Sequence, residues 1–188
     1  MKQAKKILAI SGSTRKNSSN NSILKTIVEL YKNSLDIQLY DSIDKLPHFN
    51  PDLDTENIPQ TVKYFRKLIV QADGIIICSP EYVFSIPGTL KNALEWTVST
   101  TVFSDKPFAF IIASASGEKA FESLDLIMNT LLQYKIPDNS KLLIKGVRGK
   151  INQLGQVSDN GITTKIKELT DSLIFKIEEL KPTLNSIN

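Results

Sequence analysis

Gly74-Ile75-Ile76-Ile77-Cys78-Ser79 runs directly into Pro80-Glu81-Tyr82-Val83-Phe84-Ser85-Ile86-Pro87-Gly88-Thr89-Leu90-Lys91-Asn92, and this stretch decides the fold. An unbroken apolar run of strand length, closed by a proline, describes a strand buried on both faces, as in a parallel sheet between helix layers. Pro80 and Pro87 fix φ at two points and stiffen the loop between them, and Gly88 lets the chain enter a helix closely. Tyr82 and Phe84 put aromatic surface into that loop at the carboxyl end of the strand. A planar ligand can stack there while backbone amides meet its edge. A packing role is the alternative for Phe84, and a solvated turn position the alternative for Glu81.

The same alternation extends in both directions. Short, mostly Ile-rich runs at 7–11, 37–40, 74–79, 107–114 and 142–147 read as strands. Between them, Ile23, Leu24, Ile27, Val28 and Tyr31 share one helical face, as do Val62, Phe65, Leu68 and Ile69. Leu90, Ala93, Leu94, Thr97 and Val98 mark a third helix, Leu124, Ile127, Met128, Leu131 and Leu132 a fourth, and Ile162, Ile166, Leu169, Leu173, Ile177 and Leu180 a fifth. Strand and helix in strict alternation predict an α/β three-layer sandwich, a parallel sheet with helices on both faces. With no repeat or linker, the chain reads as a single domain over 1–188. Residues 41–59, with Pro47, Pro51 and Pro59, form the longest irregular stretch, a length usually functional or interfacial.

Gly12-Ser13-Thr14-Arg15-Lys16-Asn17-Ser18-Ser19-Asn20 follows the first strand as the aromatic loop follows the third. A helix starting near Ser19 or Asn20 offers unpaired N–H groups and the positive end of its dipole, a natural seat for an anion. Ser13, Thr14, Ser18 and Asn20 add donors, and Arg15 a fork that matches phosphate oxygens. Capping alone would need one such residue, so the loop reads as a phosphate site. Neither G-x-G-x-x-G nor G-x-x-x-x-G-K-[ST] is present, which excludes a dinucleotide fingerprint and a P-loop. The acidic pair of a magnesium-binding receiver domain is missing after the first strand. A third polar loop, Ala113-Ser114-Ala115-Ser116-Gly117-Glu118-Lys119, follows the fourth strand. In the strand order 2-1-3-4-5 these three loops converge where the order reverses, the place where open α/β sheets take ligands.

Composition narrows the partners. A formal net charge of +3 with scattered Lys and Arg does not call for nucleic acid. Cys78 alone allows neither a disulfide framework nor a metal cluster, and its place in an apolar strand makes it a buried hydrophobe rather than a reactive thiol. The basic opening Met1-Lys2-Gln3-Ala4-Lys5-Lys6 is followed by an apolar run too short for a signal core or a membrane span, which makes the cytoplasm the expected compartment. His48, the single histidine, reads as a surface residue rather than a proton donor.

Taken together, Gly12-Ser13-Thr14-Arg15-x-x-Ser18-x-Asn20, Ser79-Pro80-Glu81-Tyr82 and Ile86-Pro87-Gly88-x-Leu90-Lys91-Asn92-Ala93-Leu94-Glu95-Trp96 resemble the NADPH-dependent FMN reductase family of flavodoxin-like proteins, with azo-, quinone- and chromate-reducing members. Leu46-Pro47-His48-Phe49-Asn50-Pro51-Asp52-Leu53 extends the likeness over most of the chain. The resemblance implies a flavodoxin-like fold with FMN as cofactor and NADPH or NADH as reductant. It gives the FMN phosphate to Ser13, Arg15, Ser18 and Asn20, one border of the isoalloxazine ring to Pro80, Glu81, Tyr82 and Val83, and the other side to Ser116 and Gly117. FMN carries the hydride chemistry, so no side chain is named as catalytic. The implied cycle is ping-pong, ending on a small-molecule electron acceptor such as a quinone, a flavin or an azo compound. A flavodoxin-like electron carrier without fast NAD(P)H turnover is the alternative, although carriers of that fold tend to be acidic. Two positions depart from the pattern: Val83 stands where the family usually has Asn, and Gly117-Glu118-Lys119-Ala120 replaces a glycine-rich segment with an arginine. Family members commonly form dimers or pairs of dimers. A homodimer or homotetramer is therefore expected, with Trp96, off the apolar stripe of its helix, at or beside the contact and Lys91 available for an ion pair across it.

Overall fold

A computed structural model describes residues 4–180; the first three residues of the basic opening and both ends of the 1–188 span fall outside it. Five parallel strands, β1 (Lys5–Ser11), β2 (Leu35–Tyr40), β3 (Gly74–Ser79), β4 (Phe108–Ser114) and β5 (Lys141–Lys145), form one sheet in the order β2-β1-β3-β4-β5. Between them run α1 (Ser19–Tyr31), α2 (Gln60–Gln71), α3 (Gly88–Glu95) and α4 (Glu118–Leu132), and α5 (Asn160–Leu180) follows. Strand periodicity divides the core in two. Ile7, Ala9, Ile76, Cys78, Ile111 and Ile144 face α1 and α5 through Ile23, Leu24, Ile27, Ile166, Leu169 and Leu173. Leu8, Ile10, Ile75, Ile77, Phe110 and Ile112 face the other way, onto Phe65, Ile69, Leu90, Leu94, Leu124 and Met128. The register sets Ile10 beside Ile77 and Ile77 beside Phe110, so the carboxyl ends of β1, β3 and β4 form one edge.

Strand starts shift by one or two residues from the sequence reading, and two element ends differ for a visible reason. β5 stops at Lys145 because Gly146 takes a positive φ of 61° and Val147–Lys150 coil into a 3-10 turn. α3 ends at Glu95, and the bonds Thr97 N–H to Leu94 O and Val98 N–H to Glu95 O tighten the chain to a three-residue spacing. That change of period rotates Val98 off the apolar stripe, and it is 63% exposed.

Trp96 corrects an expectation. It is 0% exposed within a single chain, covered by the proline-rich 41–59 loop. Phe49 meets its indole edge-on with ring centroids 5.1 Å apart, and its Nε1–H donates to Pro47 O at 2.7 Å. Asn92 completes the clamp, accepting Phe49 N–H at 2.7 Å and donating to Pro47 O at 3.0 Å. Farther along, Arg66 Nη2 donates to both oxygens of Asp54 at 2.9 Å, and its Nε–H to Trp96 O at 2.6 Å. Lys91, expected across a subunit contact, pairs with Glu95 one turn along its own helix at 2.7 Å. The long loop is thus an ordered cover on α3 that hides the tryptophan, while His48 remains exposed.

Candidate cofactor-binding cleft

The sheet edge where β1 and β3 diverge carries a cleft of 440 Å³, within the range of small-ligand sites. Ser13, Arg15, Ser18 and Asn20 line one end, and Pro80, Glu81 and Tyr82 the other. The first and second loops meet beneath it: Gly12 N–H donates to Cys78 O at 2.8 Å, and a Cβ on Gly12 would lie 2.5 Å from Ser79 Oγ. Only glycine permits that approach.

At the α1 end, Ser18 is the N-cap, its Oγ accepting Asn21 N–H at 3.1 Å. The N–H groups of Ser19 and Asn20, in the first helical turn, have no helical acceptor by geometry and remain for an anion. Asn20 is buried and its amide is committed: Nδ2 donates to Ala113 O at 3.4 Å, and Oδ1 accepts from Cys78 Sγ at 3.3 Å. Its side chain fixes α1 against β3 and β4. Burial pushes the Cys78 thiol pKa up, in keeping with an inert core residue. Arg15 is exposed, makes no ion pair among the described residues, and is held by its own carbonyl, which accepts Asn21 Nδ2–H at 3.3 Å. Its guanidinium is free to meet a phosphate.

The Glu81 side chain is not the solvated turn residue that was its alternative reading. Its carboxylate leaves the aromatic loop for the third loop, accepting from Lys119 N–H at 2.9 Å, Ala120 N–H at 3.0 Å and Ser116 Oγ at 3.0 Å. It therefore caps α4 from another loop. The Ala120 N–H, with the Ser116 hydroxyl and neighbouring amides, holds its pKa below the usual carboxylate range despite opposing burial. A folded pKa below the unfolded value adds stability above the unfolded pKa and loses it as pH falls through the folded one. Glu81→Gln is expected to cost about 1–2 kcal/mol at neutral pH. In urea melts that gap should close as the pH drops below the carboxylate range; a gap independent of pH would count against the cap.

Ser116 and Gly117 do not line the cleft. Ser116 is the hydroxyl on Glu81, and Gly117 enters α4 with φ 98°. The wall on that side is Ala113, Ser114 and Ala115. Val83 is also outside the lining, at the tip of a two-residue turn closed by Tyr82 N–H to Ser85 O at 2.9 Å and Ser85 N–H to Tyr82 O at 3.1 Å. Val83 and Phe84 have φ of 51° and 58°, a type I′ geometry suited to Asn and Gly and strained for a β-branched residue. Their side chains are 93% and 77% exposed, so Phe84 is no core residue. Val83→Asn is expected to raise stability by about 1 kcal/mol, read as a higher urea midpoint at unchanged slope. An unchanged midpoint would show that the turn carries no such strain.

The sequence reading missed one wall. Gly146, Val147 and Arg148 enter the cleft after β5, and Gly146 N–H donates to Ala115 O at 3.1 Å. Arg148 is exposed and, like Arg15, makes no ion pair among the described residues. The clue was there: a basic residue follows the fifth strand as Arg15 follows the first. The lining thus holds two arginines and one carboxylate, and that carboxylate is committed to α4. Such a balance suits a phosphorylated planar ligand, phosphate toward α1 and ring toward Tyr82. Among the described residues no cluster of three or more His, Cys, Asp or Glu offers a metal site, and no helix is long and apolar enough to cross a membrane.

Residues 5–145 match the family described as NADPH-dependent FMN reductase. The chain is 29% identical over 180 residues to an NAD(P)H-dependent FMN reductase of Pseudomonas aeruginosa, covering 94% of this chain and 97% of that one. It is 29% identical over 174 residues to a quinone reductase of Escherichia coli, with 91% and 88% covered. An NADPH:quinone oxidoreductase of Arabidopsis thaliana is 40% identical over 116 residues, 60% of this chain and 59% of the plant protein. Among solved structures, a flavoenzyme NAD(P)H:(acceptor) oxidoreductase from Paracoccus denitrificans superimposes with a TM-score of 0.75 at 24% identity over 94% of this chain and 98% of that one, a likeness of fold.

Proposed function

We propose, since the chain belongs to the NADPH-dependent FMN reductase family, that it is an FMN-dependent NAD(P)H oxidoreductase which passes reducing equivalents to a quinone, a flavin, an azo compound or a similar small acceptor. The observation that carries this reading is the cleft at the strand-order reversal, where an uncommitted arginine and the first turn of α1 stand opposite the Pro80-Glu81-Tyr82 loop. Ser13, Arg15, Ser18 and the amides of Ser19 and Asn20 would hold the FMN phosphate, with Arg148 adding charge. Pro80, Glu81, Tyr82 and Val83 would border the ring through their backbone, because Glu81's carboxylate is committed to α4. Ala113, Ser114 and Ala115 would flank it on the side expected of Ser116 and Gly117, which act by setting the third loop. FMN, when bound, supplies the hydride chemistry. One cleft mouth would receive both reactants in turn, which fits a ping-pong order in which the nicotinamide leaves before the acceptor enters. NAD(P)H is a water-soluble reductant, and work in the cytoplasm is part of the same proposal.

Titration of the apoprotein with FMN, followed by NADPH oxidation with a quinone in stopped flow, tests the reading. Tight FMN binding with saturable turnover and parallel double-reciprocal lines is expected. Protein that binds no FMN would end it, and bound flavin that NAD(P)H does not reduce would make the chain an electron carrier.

The same reading extends to a homodimer, or a homotetramer of such dimers. A 370 Å³ apolar groove between α3 and α4 is lined by Phe49, Leu94, Val98, Leu126, Ile127 and Leu131. Leu126 is 71% exposed. Lys91 and Glu95 stand on its rim, a pair that a two-fold axis can exchange between copies. By light scattering at micromolar concentration, wild type should have at least twice the mass of the chain and Leu126→Glu should fall toward one. A monomeric wild type would exclude the dimer.

A further inference from the structure

We infer that a second cleft, between the start of α1 and the turn at 151–155, seats the adenosine 2′-phosphate of NADPH, and that Lys16 and Lys25 thereby select NADPH over NADH. This rests on the reductase reading above and adds a substrate subsite to it. The cleft has a volume of 440 Å³. It shares Ser18 and Ser19 with the cofactor cleft, and therefore lies beyond its phosphate end. In this proposal the dinucleotide lies with its nicotinamide toward Tyr82 and its adenosine half past the shared Ser18 and Ser19 into this cleft.

The lining chemistry fits a phosphate. Lys16 and Lys25 contribute its only charges, and no carboxylate lines it among the described residues. Both lysines are exposed and neither makes an ion pair among the described residues, whereas Lys150 nearby is neutralised by Asp159 at 3.0 Å. Ser22 and Lys25 follow Ser18 at helical spacing, which brings a hydroxyl and an ammonium to one face of α1. Two lysines are point charges suited to a dianion.

The opposite wall is built rather than loose. Asn152 N–H donates to Gln156 O and Gly155 N–H to Asn152 O, each at 2.9 Å, while Asn152 Oδ1 accepts from Leu154 and Gln156 N–H at 3.0 Å. Ile151 and Val157 bridge the base of this turn. The turn thereby holds Leu154 outward, 82% exposed at the cleft, where an adenine face can rest on it. Residues 151–155 lie just past the 5–145 segment that matches the family.

The experiment is calorimetric titration of the FMN-loaded protein with NADP+ and with NAD+, which report binding without turnover. Wild type is expected to bind NADP+ about tenfold or more tighter than NAD+, the scale of one charge-assisted phosphate contact. Lys16→Ala/Lys25→Ala should bring the two affinities together by weakening NADP+ alone. Leu154→Ser should weaken both by a similar factor. Equal affinities in wild type, a double variant that keeps its preference, or one that loses NAD+ equally would each overturn the inference. FMN affinity measured in the same samples separates the failures: FMN retained without NADP+ preference overturns this subsite alone, whereas no FMN binding overturns the reductase reading and the subsite with it.

Discussion

Replacing Trp96 by alanine is expected to lower the unfolding free energy by about 3–5 kcal/mol, the usual cost of emptying a fully buried aromatic site. Trp96 is 0% exposed, edge-on to Phe49, and its Nε1–H is the donor that reaches Pro47 O. The residue is therefore a core side chain and the anchor of the 41–59 loop at once. Trp96→Phe should cost less, about 1–2 kcal/mol, because it keeps most of the ring contact and loses the hydrogen bond. Urea melts give the energies, and trypsin cleavage after Lys45 reports the loop, with faster cutting expected in the alanine variant. Trp96→Ala protein within about 1 kcal/mol of wild type would mean that the loop collapses onto the vacated site, contrary to the clamp described here. Trp96→Phe should leave the oligomeric mass unchanged, since the residue is covered by its own chain.

Arg15→Ala should raise the FMN dissociation constant about 10- to 100-fold, the equivalent of about 1.5–3 kcal/mol for a charge-assisted contact. Stability should change little, because Arg15 is exposed and makes no ion pair among the described residues. Riboflavin, which lacks the phosphate, provides the internal control: wild type should prefer FMN strongly, and the variant should lose most of that preference. Fluorescence quenching at two salt concentrations measures both, and the wild-type preference should shrink as salt rises. An Arg15→Ala protein that holds FMN as tightly as wild type at matched salt would move the phosphate elsewhere, with Arg148 the next residue to test.

Periodicity carried the architecture. Alternate strand residues had to be apolar because each face meets a helix layer, and the result is visible in Ile7 and Ala9 facing α1 and α5 while Leu8 and Ile10 face the other layer. Helical stripes then paired with those faces, and the observed strand order β2-β1-β3-β4-β5 is the one expected of a flavodoxin-like sheet. The loops after β1 and β3 were legible for a related reason. Glycine, proline and clustered hydroxyls restrict the backbone locally, and Ser13, Arg15, Ser18, Asn20, Pro80, Glu81 and Tyr82 all line one cleft.

What the tertiary structure alone decided concerns side chains whose partners are distant in sequence. Glu81 looked like a turn residue or a ring contact, yet its acceptors' donors sit on residues 116–120, and nothing local announces a cap supplied from another loop. Trp96 was rightly off the sheet-facing stripe, but the stripe cannot tell a neighbouring molecule from the chain's own loop, and the loop won because Pro47 O and Phe49 reach it. Val98 changed face when the helix tightened after Glu95, a departure of one bond spacing that a fixed period of 3.6 residues cannot register. Arg148 joined Arg15 because β4 and β5 are neighbours and Gly146 turns the chain back over Ala115. The sequence by itself determined the layers and the two loops, since those depend on backbone restriction and on repeating burial, while the strand order came with the family likeness that those loops carry. Which groups complete the cleft, and which residue hides beneath which loop, depends on single long-range contacts that leave no period to read.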